Sequence, residues 1–452
     1  MGKTIKLKKG FDINIKGTPQ KQIAGEFVSN TFAIKPPNFK GVAPIPKMLV
    51  EEKQEVKAGD PLFFDKKNPD ILFVSPVSGE VVSVTRGAKR AIVEVLILSD
   101  HKNEYKEFPL LDLKTVDRED LVKSMMQNGA WPFLIQRPYG IMADPSVTPK
   151  AIYVSGFDSS PLGTDYNFAV VGQQEYLQTG FEVLNILTGS SVNLTLDGGT
   201  TNPSELTKLT NVEVHHINGP HPSGNVGVQI HHIEPINKGE TVWTIDLQNV
   251  IALGRLYKDG QYNTERLIAV GGPRVKNPQH YRTYIGACIE NMVANNLTDE
   301  HVRIISGSVL SGVAIPKDGH LGFYDTQLSV LEEGDEHEFF GWLFPSYPRP
   351  SLSKTYLSSI FGGKKEFDVN TNTHGEKRAL VVTGQYEKVV PMDIYPQQLI
   401  KSILVQDLDL MEGLGIYEII EEDLALCEFV CTSKTPVQKI IREGLDLMRE
   451  QG

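Results

Sequence analysis

The run V-K-A-G-D-P-L-F-F-D-K-K-N-P-D-I-L-F-V-S-P-V-S-G-E-V-V-S-V, from Val56 to Val84, alternates apolar and polar residues, with Gly and Pro wherever the chain must turn. That alternation predicts short half-buried strands, because successive side chains of a strand point to opposite faces. The pattern continues through A-I-V-E-V-L-I-L-S-D and extends over residues 25 to 100, so the first part of the chain is read as β-structure punctuated by turns.

Within this stretch, K-A-G-D-P-L followed by Ser75-Pro76-Val77-Ser78-Gly79-Glu80-Val81 resembles the lipoyl/biotinyl barrel-sandwich hybrid. Carrier proteins of that fold attach a cofactor to a lysine on the tip between the two elements. Lys66 and Lys67 fall there, but no M-K-M triplet is present, so they are read as solvated turn lysines and the domain as a structural spacer.

The 452 residues suffice for three or four cores, and 40% apolar with 22% charged residues is an ordinary soluble composition. A net charge of −11 argues against nucleic-acid binding and against a polybasic membrane anchor. No apolar run approaches the roughly 20 residues a membrane-spanning helix needs, and the N-terminus MGKTIKLKKGFDINIKG lacks the apolar segment of a signal peptide. Three cysteines do not form a disulfide framework.

From residue 105 the pattern becomes mixed. REDLVKSMMQNG predicts a helix with Leu121, Met125 and Met126 on one face; AIYVSGF predicts a buried strand, QQEYLQTGFEVLNIL a helix and VNLTL a further strand. Alternating strands and helices predict a Rossmann-like sheet, although no G-x-G-x-x-G opens a helix there. Farther on, ERLIAVGG, YRTYIGACIENMV and VRIISGSVLSG predict a strand, a helix and a strand. FPSYPRPSLS and FGGKKEFDVNTNTHGEKR predict a linker, and PQQLIKSILVQDLDLMEGLG and TPVQKIIREGLDLMREQG predict helices. The domains are expected at 1–104 (N-terminal region with the barrel-sandwich), 105–255 (Rossmann-like), 256–335 (β-grasp) and 336–452 (linker and helical unit).

FDINIKGTP, FDKKNPDILFVSPVSGEVVSVTRGAKR, DLQNVIALGRLYKDGQYNTERLIAVGGPRVKNP, YRTYIGACI, ISGSVLSG, PMDIYPQQLI and LALCEFVC occur in this order along essentially the whole chain. Together they resemble the A subunits of the sodium-translocating NADH:quinone reductases, which are related to the flavin-binding subunit of complex I and to the C subunit of the Rnf complex. The resemblance implies a β-grasp domain of the soluble-ligand-binding type around IAVGGPRVKNP and a degenerate ferredoxin-like helical unit at the C-terminus. It also implies a peripheral position on the cytoplasmic face of the bacterial inner membrane. The complex uses NADH, FAD, FMN, riboflavin, an iron–sulfur centre, quinone and Na+, and the partners are its membrane subunits and its NADH-oxidising subunit.

The redox-active relatives hold two four-iron clusters through paired C-x-x-C-x-x-C-x-x-x-C-P runs, each cubane requiring four thiolates. The first run falls here on Leu380, Thr383, Tyr386 and Val390 before Pro391, and the second on Glu421, Leu424, Cys427 and Cys431. Cys427 and Cys431 are therefore read as vestigial cluster positions and as buried small hydrophobes. The relatives' flavin loop G-R-G-G-A-G-F-P matches Met126-Gln127-Asn128-Gly129-Ala130-Trp131-Pro132-Phe133, and their N-G-x-E-C-E-P segment matches Ser155-Gly156-Phe157-Asp158-Ser159-Ser160-Pro161. With Trp131 where a glycine would admit a phosphate, no cofactor is expected on this chain. The vacated pocket around Asn128, Gly129, Trp131 and Phe157 is the expected quinone-facing or vestigial flavin site. The alternative is a flavin and iron–sulfur electron-transfer subunit of an Rnf-type complex.

His215, His216, His221, His231 and His232 are read as a polar strand–turn–strand pair rather than a metal site, because adjacent strand residues face apart. Gly219-Pro220-His221-Pro222-Ser223-Gly224 is a turn matching a loop near the relatives' flavin region, and Trp243 is read as core. Ser159 and Ser160 lack a G-x-S-x-G elbow. No catalytic residue is assigned.

Overall fold

The computed structural model describes residues 2–25, 27–335, 349–353 and 366–452. Strand β1 (Thr4–Lys6) joins a later sheet. β2 (Thr31–Ile34), β3 (Lys47–Met48), β4 (Glu55–Val56), β5 (Pro61–Asp65), β6 (Asn68–Val74), β7 (Gly79–Arg86) and β8 (Ile92–Ser99) form two antiparallel sheets ordered β2–β8–β7–β4 and β3–β5–β6. The period of two sorts their faces: Val81, Val95 and Ile97 are buried, whereas Val82, Val93 and Leu98 are exposed. Phe63 stacks on Phe73 at 4.7 Å in the core. Lys66 and Lys67 are exposed on the turn joining β5 and β6.

The next unit runs through α1 (Arg118–Gln127), β9 (Ile135–Arg137), β10 (Ile141–Met142), β11 (Ile152–Ser155), α2 (Tyr166–Ala169), α3 (Gln174–Thr188) and β12 (Val192–Asp197). It continues through α4 (Ser204–Thr207), β13 (Val212–Asn218), α5 (Val226–Ile233), β14 (Val242–Thr244) and α6 (Leu247–Asp259). Its seven strands lie in the order β1–β13–β12–β11–β14–β9–β10. β1, β13, β12, β11 and β14 are parallel, and β9 and β10 close the far edge antiparallel. From β11 the chain winds outward through β12 and β13, then returns to the other side of β11 as β14. That reversal is a topological switch point, where open α/β sheets bind ligands beyond the carboxyl ends of their strands. Residues 226–233, expected as a strand, form α5, because the crossover from β13 to parallel β14 needs a helix to span it.

A third sheet has the order β16–β15–β19–β17–β18, built from β15 (Arg266–Gly271), β16 (Gln279–Thr283), β17 (Val302–Ser306), β18 (Val313–Ile315) and β19 (Gln327–Glu332), with the short helix α7 (Glu290–Val293). The helix expected over Y-R-T-Y-I-G-A-C-I-E-N-M-V forms only in its last four residues, as α7. Tyr281–Thr283 belong to β16, paired antiparallel with β15, and Gly286 and Cys288 then exchange backbone hydrogen bonds with Ala33 and Thr31 of β2. Gly286 has φ +73°, and a Cβ there would lie 2.2 Å from the Ala33 carbonyl oxygen, so only glycine permits this approach.

Most of the expected linker, residues 336–348 and 354–365, lies outside the described residues. The C-terminal unit comprises α8 (Tyr386–Val389), α9 (Pro396–Leu404), α10 (Leu408–Gly413), α11 (Ala425–Val430) and α12 (Val437–Gln451). α12 buries Val437, Ile440, Ile441, Gly444, Leu445 and Met448, one apolar stripe at helical spacing.

Candidate functional site: the cleft at the switch point

A cleft of about 660 Å³ opens at the carboxyl ends of β11 and β14. Phe157, Asp158 and Ser160 enter it from the loop after β11, and Thr244, Ile245 and Asp246 from the end of β14. The loop after β13 supplies His221 and Gly224, β9 supplies Arg137, the third sheet supplies Tyr324 and Asp325, and the C-terminal unit supplies Ile420 and Glu422. Stretches of chain far apart in sequence thus meet at one point. Phe133 on its wall stacks on Tyr262 at 6.0 Å.

The helix N-termini at this point decide what charge the cleft accepts. Such termini attract anions through unpaired N–H groups and the helix dipole. Asp246 caps α6 with its own carboxylate, accepting from Gln248 N–H at 2.8 Å and also a short bond from the Tyr166 hydroxyl. At α5, Arg137 and Asp423 together lie against Gly227 in the first turn: a Cβ on that glycine would sit 2.4 Å from both Arg137 Nη1 and Asp423 Oδ2. Asp423 also binds Arg137 at 2.6 Å, and Glu422 binds the same guanidinium at 2.8 Å. Asn225 donates through Nδ2 to the Glu422 carbonyl at 3.0 Å. The α6 terminus is therefore capped by a carboxylate of the chain itself, whereas that of α5 faces an ion pair whose charges offset each other. The other lining cations are paired as well, Lys40 with Glu421, Arg442 with Glu421 and Asp446, and Lys439 with Glu443. A phosphate would find no free positive charge among these groups, whereas a neutral ligand needs none.

Burial raises the Asp158 carboxyl to about 6, with Asp246 adding repulsion, while hydrogen bonds from Ser160 oppose the rise. Burial likewise lifts Tyr166 and Asp325. It lowers His221 to about 4, so this histidine is neutral at pH 7; its Nδ1 is 3.0 Å from Ser159 Oγ. Asn249, 1% exposed, accepts from Arg266 at 2.7 Å through Oδ1, which leaves its Nδ2 without a hydrogen-bond partner.

Of the four residues expected to form the pocket, only Phe157 lines the cleft. Asn128 is buried and caps the C-terminal end of α1, and its Nδ2 donates to the Tyr257 hydroxyl at 3.3 Å. Gly129, at φ +81°, faces Val74 so closely that a Cβ would lie 2.3 Å from that side chain. Trp131, 0% exposed, meets Trp243 edge-on at 5.4 Å and donates from Nε1 to the Ala143 carbonyl at 2.8 Å. The segment that matches a phosphate loop is therefore a helix C-terminus, whose dipole repels phosphate. Trp131 stands behind the cleft wall, two residues before Phe133.

Cys427 and Cys431 are buried in the core of the C-terminal unit, and the Tyr386 hydroxyl donates to Cys431 Sγ at 2.9 Å. The histidines are tied to separate partners. His215 contacts Asn193 at 2.9 Å, His231 contacts Glu418 at 2.5 Å, and His232 contacts the Pro391 carbonyl at 2.7 Å. Among the described residues no group of three or more His, Cys, Asp or Glu is placed to hold a metal ion.

Reading residue by residue missed Tyr166, Asp246, Asn249, Arg137 and Asp423. One signal was present: Asp246 stands between the apolar run V-W-T-I and the helical L-Q-N-V-I-A-L, the position of a helix cap at a strand's carboxyl end.

Three family models match the chain. They are the NqrA N-terminal barrel-sandwich hybrid domain over residues 5–100, the NqrA second alpha/beta domain over 116–262 and the NQRA C-terminal domain over 267–316. The A subunit of the Na(+)-translocating NADH-quinone reductase of Neisseria meningitidis serogroup A is 38% identical over 452 residues, covering 99% of this chain and 100% of the relative. The proteins of the same name from Serratia proteamaculans and Yersinia pestis are 37% and 36% identical with the same coverage. Full-length identity at this level, over the matching succession of domains, shows that the chain belongs to the family of Na(+)-translocating NADH-quinone reductase A subunits.

Proposed function

We propose that this chain is a non-catalytic, peripheral subunit docked on the cytosolic side of the membrane subunits of a Na(+)-translocating NADH-quinone reductase. It holds no tightly bound redox cofactor of its own and admits the quinone head group to the switch-point cleft. The observation that carries this reading is the Asp246 cap on α6 together with the Arg137–Asp423 ion pair beside the N-terminus of α5, which leave no unpaired positive charge for nucleotides or flavin phosphates and suit a neutral ring. No helix among the described residues is long and apolar enough to cross a membrane, which is in keeping with attachment through partner subunits.

The C-terminal unit supports the absence of a cluster. Of the eight positions matching the two cysteine runs, six carry Leu380, Thr383, Tyr386, Val390, Glu421 and Leu424, none of them a thiolate. In two-cluster ferredoxins the fourth cysteine of one run serves the other cluster. The contact between Tyr386 and Cys431 is what that crossing would leave after ligand loss.

A photoreactive benzoquinone applied to the intact assembly tests the reading. Labelled peptides from this chain are expected to contain Phe133–Arg137 or Phe157, and labelling confined to other subunits would remove the quinone role. The Rnf-type alternative predicts flavin or iron–sulfur absorbance in the visible spectrum of the purified chain, and a colourless protein excludes it.

A further inference from the structure

We propose that the cleft binds its neutral carbonyl ligand through two hydrogen-bond donors, the Asn249 amide and the protonated carboxyl of Asp158, so that ionisation of Asp158 releases the ligand. This inference rests on the quinone reading above and adds to it the donors and a proton-controlled affinity.

Two independent observations meet here. Asn249 is buried with its Nδ2 unpartnered, while Arg266 holds the Oδ1 side and so fixes which end of the amide is free. A buried donor left unpaired is costly, and a carbonyl oxygen in the cleft would satisfy it. Asp158 supplies the second donor. Its Oδ1 accepts from the Ser160 backbone N–H at 2.7 Å, and the chain folds back so tightly that a Cβ on Gly163 would sit 2.5 Å from Oδ2. Among the described residues Asp158 has no ion-pair partner. The cations nearest the cleft are committed elsewhere: Arg137 to Asp423 and Glu422, and Arg266 to Asn249 and the Phe323 carbonyl.

Within its own loop the Ser160 hydrogen bonds favour the charged form of Asp158, and burial outweighs them; the groups facing it from other elements favour the neutral form or leave it unchanged. Asp246 after β14 repels a second negative charge, Tyr166 on α2 directs its hydroxyl hydrogen to Asp246, burial lifts Asp325 before β19 toward its neutral form, and His221 after β13 is neutral. With a midpoint near 6, the carboxyl is a donor below that pH and only an acceptor above it. A quinone offers acceptors alone, so its affinity should fall about tenfold per pH unit above the midpoint.

The test is calorimetric titration of the full chain with a water-soluble short-chain benzoquinone between pH 5 and pH 8. Wild type is expected to bind tightly at pH 5 and roughly a hundredfold more weakly at pH 8. Asp158→Asn, which keeps an N–H donor at every pH, should bind at pH 8 nearly as wild type does at pH 5. Asp158→Ala should bind weakly throughout. A wild-type affinity flat across this range, or an Asp158→Asn profile that still falls with pH, overturns the inference and leaves the quinone reading standing. Absence of binding by wild type at every pH removes that reading, and the inference with it.

Discussion

The hydroxyl of Tyr386 donates to Sγ of Cys431 across 2.9 Å inside the C-terminal helical core, and the backbone N–H of Thr435 points at the same sulfur from 3.4 Å. Burial pushes the Cys431 thiol up, but these bonds outweigh it and bring the thiol below its ordinary value; burial leaves Cys427 well above. Tyr386→Phe should therefore raise the Cys431 thiol, read by thiolate absorbance against pH in a variant whose other two cysteines are replaced by serine. It should also cost about 1 kcal/mol of stability in urea unfolding. An unchanged thiol titration would show that the phenol does not hold the sulfur's charge.

The pair Arg137–Asp423 ties the far edge of the α/β sheet to the C-terminal unit, 286 residues away in sequence, with the two side chains 1% and 0% exposed. Removing one member of a buried pair strands the other's charge, at a cost of roughly 3–5 kcal/mol. Glu422, 43% exposed, still holds the guanidinium, so Asp423→Ala should fall at the lower end of that range. The same variant should expose the chain around residues 414–436 to limited proteolysis while the barrel-sandwich stays resistant. Equal resistance throughout would mean that the pair does not fasten the two units.

The long periodic segments were legible from residues alone: α1, α3, β12 and β15 appear where the apolar spacing puts them. The helix read over YRTYIGACIENMV, formed only at Glu290–Val293, was suggested farther back because Tyr281, Ile285 and Ile289 stand at helical spacing. Pairing with β15 and then β2, both distant in sequence, overrides that local signal. The site was hidden for a related reason. Phe157 was found because its loop resembles a flavin-lining segment, whereas Asn249 and Asp423 acquire meaning only once strand order brings β14, α5 and the C-terminal unit together. The expected pocket at Asn128, Gly129 and Trp131 borrowed the position of a flavin loop in relatives, and no local pattern reveals that these residues pack inward.

That packing separates two substitutions that the sequence groups together. Trp131→Ala opens a cavity behind the wall and should cost about 3–5 kcal/mol. Phe157→Ala, partly exposed in the cleft, should leave unfolding within about 1 kcal/mol of wild type and weaken benzoquinone binding. Comparing thermal unfolding with ligand titration for both variants checks this, and a stable Trp131→Ala protein would contradict the core assignment.

Helices α3 and α6 touch through glycines. A Cβ on Gly254 would lie 1.8 Å from the Tyr176 carbonyl oxygen, and one on Gly180 2.3 Å from that of Val250. Gly254→Ala must push the helices apart and should destabilise by about 2–3 kcal/mol or more. Gly413, within α10, has open space where its Cβ would stand, so Gly413→Ala should stabilise by about 0.5–1 kcal/mol. Opposite signs for one added methyl group, measured by urea unfolding, would locate the close approach.

Asp158 makes the fold's stability depend on pH in the direction opposite to that of a salt-bridged acid. Its native carboxyl titrates near 6, against 3.8 ordinarily. Between those values the native state holds more protons than the unfolded chain, so stability declines as pH rises through that window and stays lower above it. A difference of that size corresponds to at most about 3 kcal/mol, and partial exposure reduces this to about 1–2 kcal/mol. Asp158→Asn cannot ionise and can still accept from the Ser160 N–H. The variant should therefore be more stable than wild type at pH 7.5 by that amount and equal to it near pH 4. Urea unfolding at the two pH values decides the matter: a gain that persists at pH 4 would point to packing, and no gain at pH 7.5 would mean that the cleft does not penalise the charge.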